Sequence, residues 1–147
     1  MPKPFKDQLL IEVDRVDGMG DYIPREVMEK AVADMQKRLK DGAPLLITTK
    51  FSNKLGDTQG LVSDIRMDGN NVFIDGTILD TEAGKKIQEM LEVVEKAREQ
   101  GENLEDPIEY AMGGHGVPKV NPETKVREYS DVSITSVAAV RKGEKVR

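Results

Sequence analysis

A single histidine, His115, is the side chain in this sequence best suited to proton transfer near neutral pH. Ser133 and Ser136 follow it along the chain and carry hydroxyls that such a base could activate as nucleophiles. Glycines flank His115 on both sides, which is typical of a histidine in a loop where a strand ends. The pattern favours a loop histidine, and His115 with Ser133 or Ser136 remains the catalytic alternative.

Other clusters of residues are weaker candidates for a functional site. The segment Gly113–Gly116 is rich in glycine, but it lacks the Lys-Ser/Thr ending of a P-loop and no helical pattern follows it. Glu102, Glu105 and Asp106 lie in a charged segment, for which solvation is the simpler interpretation. With one histidine and no cysteine, a zinc site would need carboxylates as its other ligands. We therefore predict no metal and no other cofactor.

The composition is that of one globular domain spanning 1–147, with 37% hydrophobic and 33% charged residues. No window approaches the run of about 18 apolar residues that a membrane span needs, and no signal peptide is evident. These patterns predict no membrane association. The absence of cysteine suits a protein assembled in the cytoplasm.

The net charge of −5 argues against general nucleic-acid binding, which needs a basic face to neutralise phosphates. An aromatic content of 4% also disfavours stacking platforms for bases. Basic residues cluster at the C-terminus, where we expect a solvated charged tail at 142–147. Nucleic acid is therefore not a predicted partner.

Hydrophobic periodicity predicts about seven short strands and two helices. The first helix follows Pro24 and ends near Gly42, and the second follows an N-cap at Thr81 and ends near Gly101. An Asp-Gly pair at 68–69 predicts a tight hairpin. The strands are expected at 7–16, 44–50, 60–66, 71–79, 108–115 and 126–140, the last with a bend near 129–131, and a turn-rich loop is expected at 118–124. This sum predicts an α+β domain built on a mainly antiparallel bent sheet or small barrel.

The order of these features resembles the capsid maturation (prohead) protease family of tailed phages, whose fold is shared with the herpesvirus assemblin proteases. The likeness extends from about residue 7 to residue 142. It implies an assemblin-like fold and a place in phage capsid assembly. The segments that carry it are Tyr22–Val27, Gln59–Ile65 with Asp68-Gly69, Asp80–Lys85, Tyr110–Gly114 and Ser130–Val137.

The sequence differs from this family at the positions of the catalytic residues. The resemblance implies a nucleophilic serine at the start of a Ser-hydrophobe-Gly segment, but this sequence has Ala111 there. It also implies a histidine near Thr48-Thr49-Lys50, where none occurs. A serine at its ordinary pKa needs an adjacent base, and alanine has no lone pair with which to attack a carbonyl. The resemblance therefore predicts a catalytically inactive homologue.

The functional expectation is a non-enzymatic virion protein, a capsid decoration (cement) or other head-associated protein that binds the major capsid protein as a homo-oligomer. The N-terminal segment 1–6 contains two prolines and Phe5, and it is expected to be either an extended attachment arm or a frayed terminus. Two alternatives remain. One is an active maturation protease with Ser133 or Ser136 as displaced nucleophile and His115 as base, and the other is an internal scaffolding or assembly factor.

Overall fold

A computed structural model describes residues 1–145 of the chain. The helices are α1 (Arg25–Lys40) and α2 (Glu82–Glu99). The strands are β1 (Lys3–Glu12), β2 (Asp21–Tyr22), β3 (Leu45–Thr48), β4 (Thr58–Asp68), β5 (Asn71–Ile78), β6 (Ile108–His115), β7 (Pro118–Val120), β8 (Arg127–Tyr129) and β9 (Ser133–Arg141).

The main sheet has six strands in the order β1-β5-β4-β3-β9-β6. All neighbours are antiparallel except β3 and β9, which are parallel. The sheet curls until its two edge strands approach each other, and the rings of Phe5 on β1 and Tyr110 on β6 stack with centroids 4.7 Å apart. The predicted α+β class with two helices and a bent sheet is confirmed.

A second, three-stranded sheet of order β2-β8-β7 accounts for the strands beyond the predicted seven. It includes β7, which lies in the segment expected to be only a turn-rich loop. The Asp21 carboxylate, with no exposed side-chain surface, forms an ion pair of 2.6 Å with Arg127 Nε. This pair joins the start of the sheet to a strand that lies more than 100 residues further along the chain.

Local sequence signals explain the helices and the hairpin. Pro24 precedes α1, whose buried side chains Met28, Ala31, Val32 and Met35 form its core-facing stripe. Thr81 Oγ1 accepts a hydrogen bond of 2.9 Å from the Gly84 N–H, a cap that typically stabilises a helix by about 1 kcal/mol. Gly69 has a φ of 60° in the two-residue connection between β4 and β5, a conformation that glycine adopts without steric cost.

The N-terminal segment is paired into the main sheet. Strand β1 begins at Lys3, which pairs with Ile78, so residues 3–5 belong to the sheet and do not project as an arm. Pro4 is tolerated because β1 is an edge strand of the hydrogen-bonded order. At the other end, Lys142 forms an ion pair with Glu105. Residues 146 and 147 of the predicted charged tail lie outside the described residues.

Hydrophobic side chains from both helices and the six-stranded sheet form one buried cluster. It includes Ile47, Ile65, Ile74, Ile134 and Val137, none of which has exposed surface. Within the described residues, neither helix combines the length and apolarity needed to cross a bilayer. The buried cluster places the core between the helices and the inner face of the curled sheet.

Candidate functional site

The segment expected to hold a nucleophile is strand β6. Its alternation turns Ile108, Tyr110 and Met112 into the core, where all three are buried. Ala111 and Gly113 consequently lie on the outer face of the sheet, and each is half-buried. A side chain at position 111 therefore faces the cleft that lies on this side of the sheet.

The segment expected to hold a histidine lies two strands away on the same face. Ile47 of β3 pairs with Val137 of β9, and Ala111 of β6 pairs with Ala138 of β9. Thr48 and Ala138 each follow one of the core-facing partners Ile47 and Val137, so both point to the outer face. Thr48, Ala138 and Ala111 thus form a row across three strands, with the outer two roughly 10 Å apart at the strand spacing of a sheet.

This row contains no general base. Thr48 is 2% exposed, and within residues 1–145 its hydroxyl has no hydrogen-bond partner. Ala138 is fully buried although it does not belong to the core cluster. A methyl group at position 111, a second methyl at 138 and a threonine at 48 can neither form an acyl intermediate through a base-activated hydroxyl nor relay a proton.

The alternative residues are placed around this row. Ser136 pairs with Gly113 at a β-bulge, beside the unpaired Thr135, and lines the same cleft as Ala111. His115 and Ser133 are cross-strand partners at the end of β6, and both are exposed. Among the described residues, no side-chain hydrogen bond involves the His115 imidazole, and neither it nor Ser133 lines the cleft. The fold brings a hydroxyl and an imidazole into neighbouring positions at an exposed strand end.

The cleft has a volume of about 540 Å³ and is lined by residues from five parts of the chain. Lys145 lines one side, where burial lowers the pKa of its ammonium group and nearby Glu109 partly offsets that effect. Its Nζ donates a hydrogen bond of 3.4 Å to the Leu9 carbonyl oxygen. The remaining lining residues are Met19, Phe51, Asn53, Ala111, Met112, Gly113, Gly114, Thr135, Ser136, Val140 and Glu144.

Phe51 closes part of this cleft. Its ring packs so close to Gly113 that a Cβ at position 113 would lie 2.6 Å from the ring's Cδ1 and would also collide with Ser136 Oγ. The glycine at 113 is therefore required by close approach of an aromatic ring. The sequence shows the glycine, but only the fold shows that the ring comes from a segment about sixty residues earlier.

Gln59 fixes strand β9 beneath the row. Its side-chain amide behaves like a strand neighbour, since Oε1 accepts a hydrogen bond of 3.1 Å from the Ala139 N–H and Nε2 approaches the Ala139 carbonyl oxygen at 3.5 Å. Gln59 is 4% exposed. Strand β3 ends beside this point, so the glutamine replaces backbone pairing that the sheet would otherwise lack. The hydrophobic pattern gave no signal for this role.

Two of the three acidic residues singled out from the sequence take part in surface ion pairs. Asp106 Oδ1 lies 3.0 Å from Arg98 Nη2, and Glu105 pairs with Lys142. The hydrogen bond from Lys142 lowers the pKa of the Glu105 carboxyl. All three carboxylates, including Glu102, are exposed, and no metal-binding group of three or more His, Asp or Glu side chains occurs within residues 1–145.

Comparison with known proteins bears on the fold. No protein-family model matches the sequence, and no curated protein matches it. Among solved structures, the chain is similar to the bacteriophage T4 capsid assembly protease, gp21. The two superpose with a TM-score of 0.65 over 95% of each chain at 14% sequence identity. The fold is thus like that of a prohead protease, as the resemblance predicted.

Proposed function

We propose that this protein is a non-enzymatic component of a phage head, a capsid decoration or other head-associated protein built on a prohead-protease-like fold. The observation that carries the proposal is Ala111, which lines the cleft at the expected nucleophile position, in a row with Ala138 and Thr48 that supplies no base. The similarity to the T4 capsid assembly protease supports the phage context. A fold that has lost its reactive groups keeps its shape, and shape is what a binding protein needs.

The partner we propose is the major capsid protein, bound on the virion by a homo-oligomer of this chain after assembly in the host cytoplasm. The test is incubation of the purified protein with shells assembled from the major capsid protein, followed by sedimentation and gel electrophoresis. We expect the protein to sediment with the shells and both chains to remain intact. Capsid fragments that accumulate with time would overturn the non-enzymatic role, and failure to sediment would overturn the decoration role.

The placement of His115 opposite Ser133 favours one competing function, a protease with a displaced nucleophile. This alternative predicts fragments that disappear in His115→Ala and in either Ser133→Ala or Ser136→Ala. Ser130→Ala is the matched control, because Ser130 is exposed and precedes β9. An internal scaffolding role is separated by mass spectrometry of proheads and mature heads, since a scaffolding chain is present only in proheads.

A further inference from the structure

The segment 49–57 connects strands β3 and β4, and its two ends lie next to each other. It leaves β3 after Thr48 and enters β4 at Thr58, and these two residues are cross-strand partners. Both ends of the segment therefore emerge side by side from the sheet. A surface loop with adjacent ends can move as a unit without disturbing the strands that anchor it.

The segment is hydrogen-bonded only to itself within the described residues. Ser52 Oγ donates a bond of 2.5 Å to Asp57 Oδ2 and accepts one of 3.1 Å from the Lys54 N–H. The Ser52 N–H bonds to the Thr49 carbonyl oxygen at 3.0 Å, and the Asp57 N–H bonds to the Lys54 carbonyl oxygen at 3.1 Å. None of its charged side chains forms an ion pair with the rest of residues 1–145. The segment can therefore lift as an intact unit.

The segment contacts the main sheet through Phe51, which lies against strands β6 and β9. Residues Thr49–Phe51 pack against β9, and the Phe51 ring lies on Gly113 next to Ser136. The ring is still 40% exposed, so this contact is not part of the closed core. The segment is thus attached to the sheet by this aromatic contact, and residues Leu55–Asp57 contact α2.

The backbone at this contact is strained. Lys50 has a φ of 51° and Phe51 a φ of 59°, two consecutive left-handed residues that are not glycine. Side chains with a Cβ disfavour this region, and such conformations persist only where surrounding contacts enforce them. If the Phe51 contact were lost, the backbone at Lys50 and Phe51 could relax. The backbone strain therefore favours opening of the segment, whereas the Phe51 contact favours its closed position.

We propose that residues 49–57 form a flap that opens over the Ala111 cleft as a unit, with Phe51 on Gly113 as its latch. The closed flap covers the outer face of β9 at Ala138 and narrows the cleft beside Ser136. The open flap exposes the whole row from Thr48 to Ala111. This inference does not depend on the capsid role, because it concerns access to the cleft whatever binds there.

Limited trypsin digestion tests the flap, because Lys50 and Lys54 lie within it. Cleavage after Lys54 reports local opening if its rate in the wild type stays constant at urea concentrations far below the unfolding midpoint. In Phe51→Ala we expect cleavage after Lys54 to accelerate by about tenfold, since the latch contact is removed. Gly113→Ala should accelerate it as well, because the added Cβ displaces the ring without changing the flap's own sequence.

Two control variants keep the test sharp. Val93→Ala truncates an apolar side chain on α2 that is 67% exposed and leaves the residues around Lys54 unchanged, so the cleavage rate should remain that of the wild type. Lys50→Gly relieves the left-handed strain while keeping the latch, so cleavage after Lys54 should slow. The proposal is overturned if Phe51→Ala and Gly113→Ala both cleave at the wild-type rate, or if wild-type cleavage follows global unfolding in urea. Capsid binding plays no part in this readout.

Discussion

The two halves of the outer face of the main sheet differ in chemistry. On the half formed by β1, β5 and β4, Arg66 meets three carboxylates: Asp64 at 2.9 Å, Asp75 at 3.1 Å and Asp7. The Asp7 N–H also donates a hydrogen bond of 2.8 Å to Asp75 Oδ1. This N–H and then Arg66 hold the pKa of the Asp75 carboxyl below its ordinary value.

The half formed by β3, β9 and β6 has no such charges in its central row. Thr48, Ala138 and Ala111 are small and uncharged, and residues Thr49–Phe51 pack against β9. Charges on the first half satisfy one another and gain little from a partner. The second half keeps a cleft of about 540 Å³ beside Ala111, and we propose that binding be tested there first.

The largest effect is expected at the junction of the halves, where Gln59 bridges β4 to β9. Gln59→Leu leaves the buried N–H and carbonyl of Ala139 without their side-chain partner, at a cost of about 2–4 kcal/mol in the free energy of unfolding. Urea denaturation measures this loss. Gln100→Leu is the control, because that side chain is exposed, and its stability should stay near that of the wild type. Equal stability of the two variants would contradict the bridging role.

A smaller, pH-dependent effect is expected on the charged half. Because the folded state lowers the Asp75 pKa, ionised Asp75 stabilises the fold above its unfolded pKa of about 3.9, and this stability disappears as the pH falls through the lower folded value. Asp75→Asn should therefore lose less stability than the wild type between about pH 5 and pH 2. Thermal melting across this range measures the difference, with exposed Asp34→Asn expected to match the wild type.

The smallest effect is expected from Ala111→Ser in the neutral half. One hydroxyl fits the half-buried site and should change stability by no more than about 0.5 kcal/mol. The variant should also fail to cleave capsid protein, because Thr48 and Ala138 supply no base and the Lys145 ammonium on the cleft wall donates a hydrogen bond to the Leu9 carbonyl oxygen. Cleavage by this variant, measured against Ala111→Gly, would show that a base reaches position 111 and would break the distinction between the two halves.

Elements with strong local signals were predictable from the sequence. Strand β6 has the predicted bounds 108–115, and α1 and α2 begin and end where Pro24, Thr81 and the two C-terminal glycines indicated. The start of β1 was missed because prolines at 2 and 4 indicate an irregular segment, whereas pairing with β5 extends the strand to Lys3. That pairing partner lies about seventy residues away, beyond the reach of any local pattern.

The sequence by itself determined which reactive groups are missing: an alanine at 111 and no histidine near 48–50. Local periodicity also determined most strands, because alternation depends only on neighbouring residues. Only the tertiary structure decided that Thr48 and Ala111 share one face two strands apart, and that Phe51 covers Gly113. These relations come from pairing between distant strands and from close packing of a ring on a glycine, and both depend on the whole chain being folded.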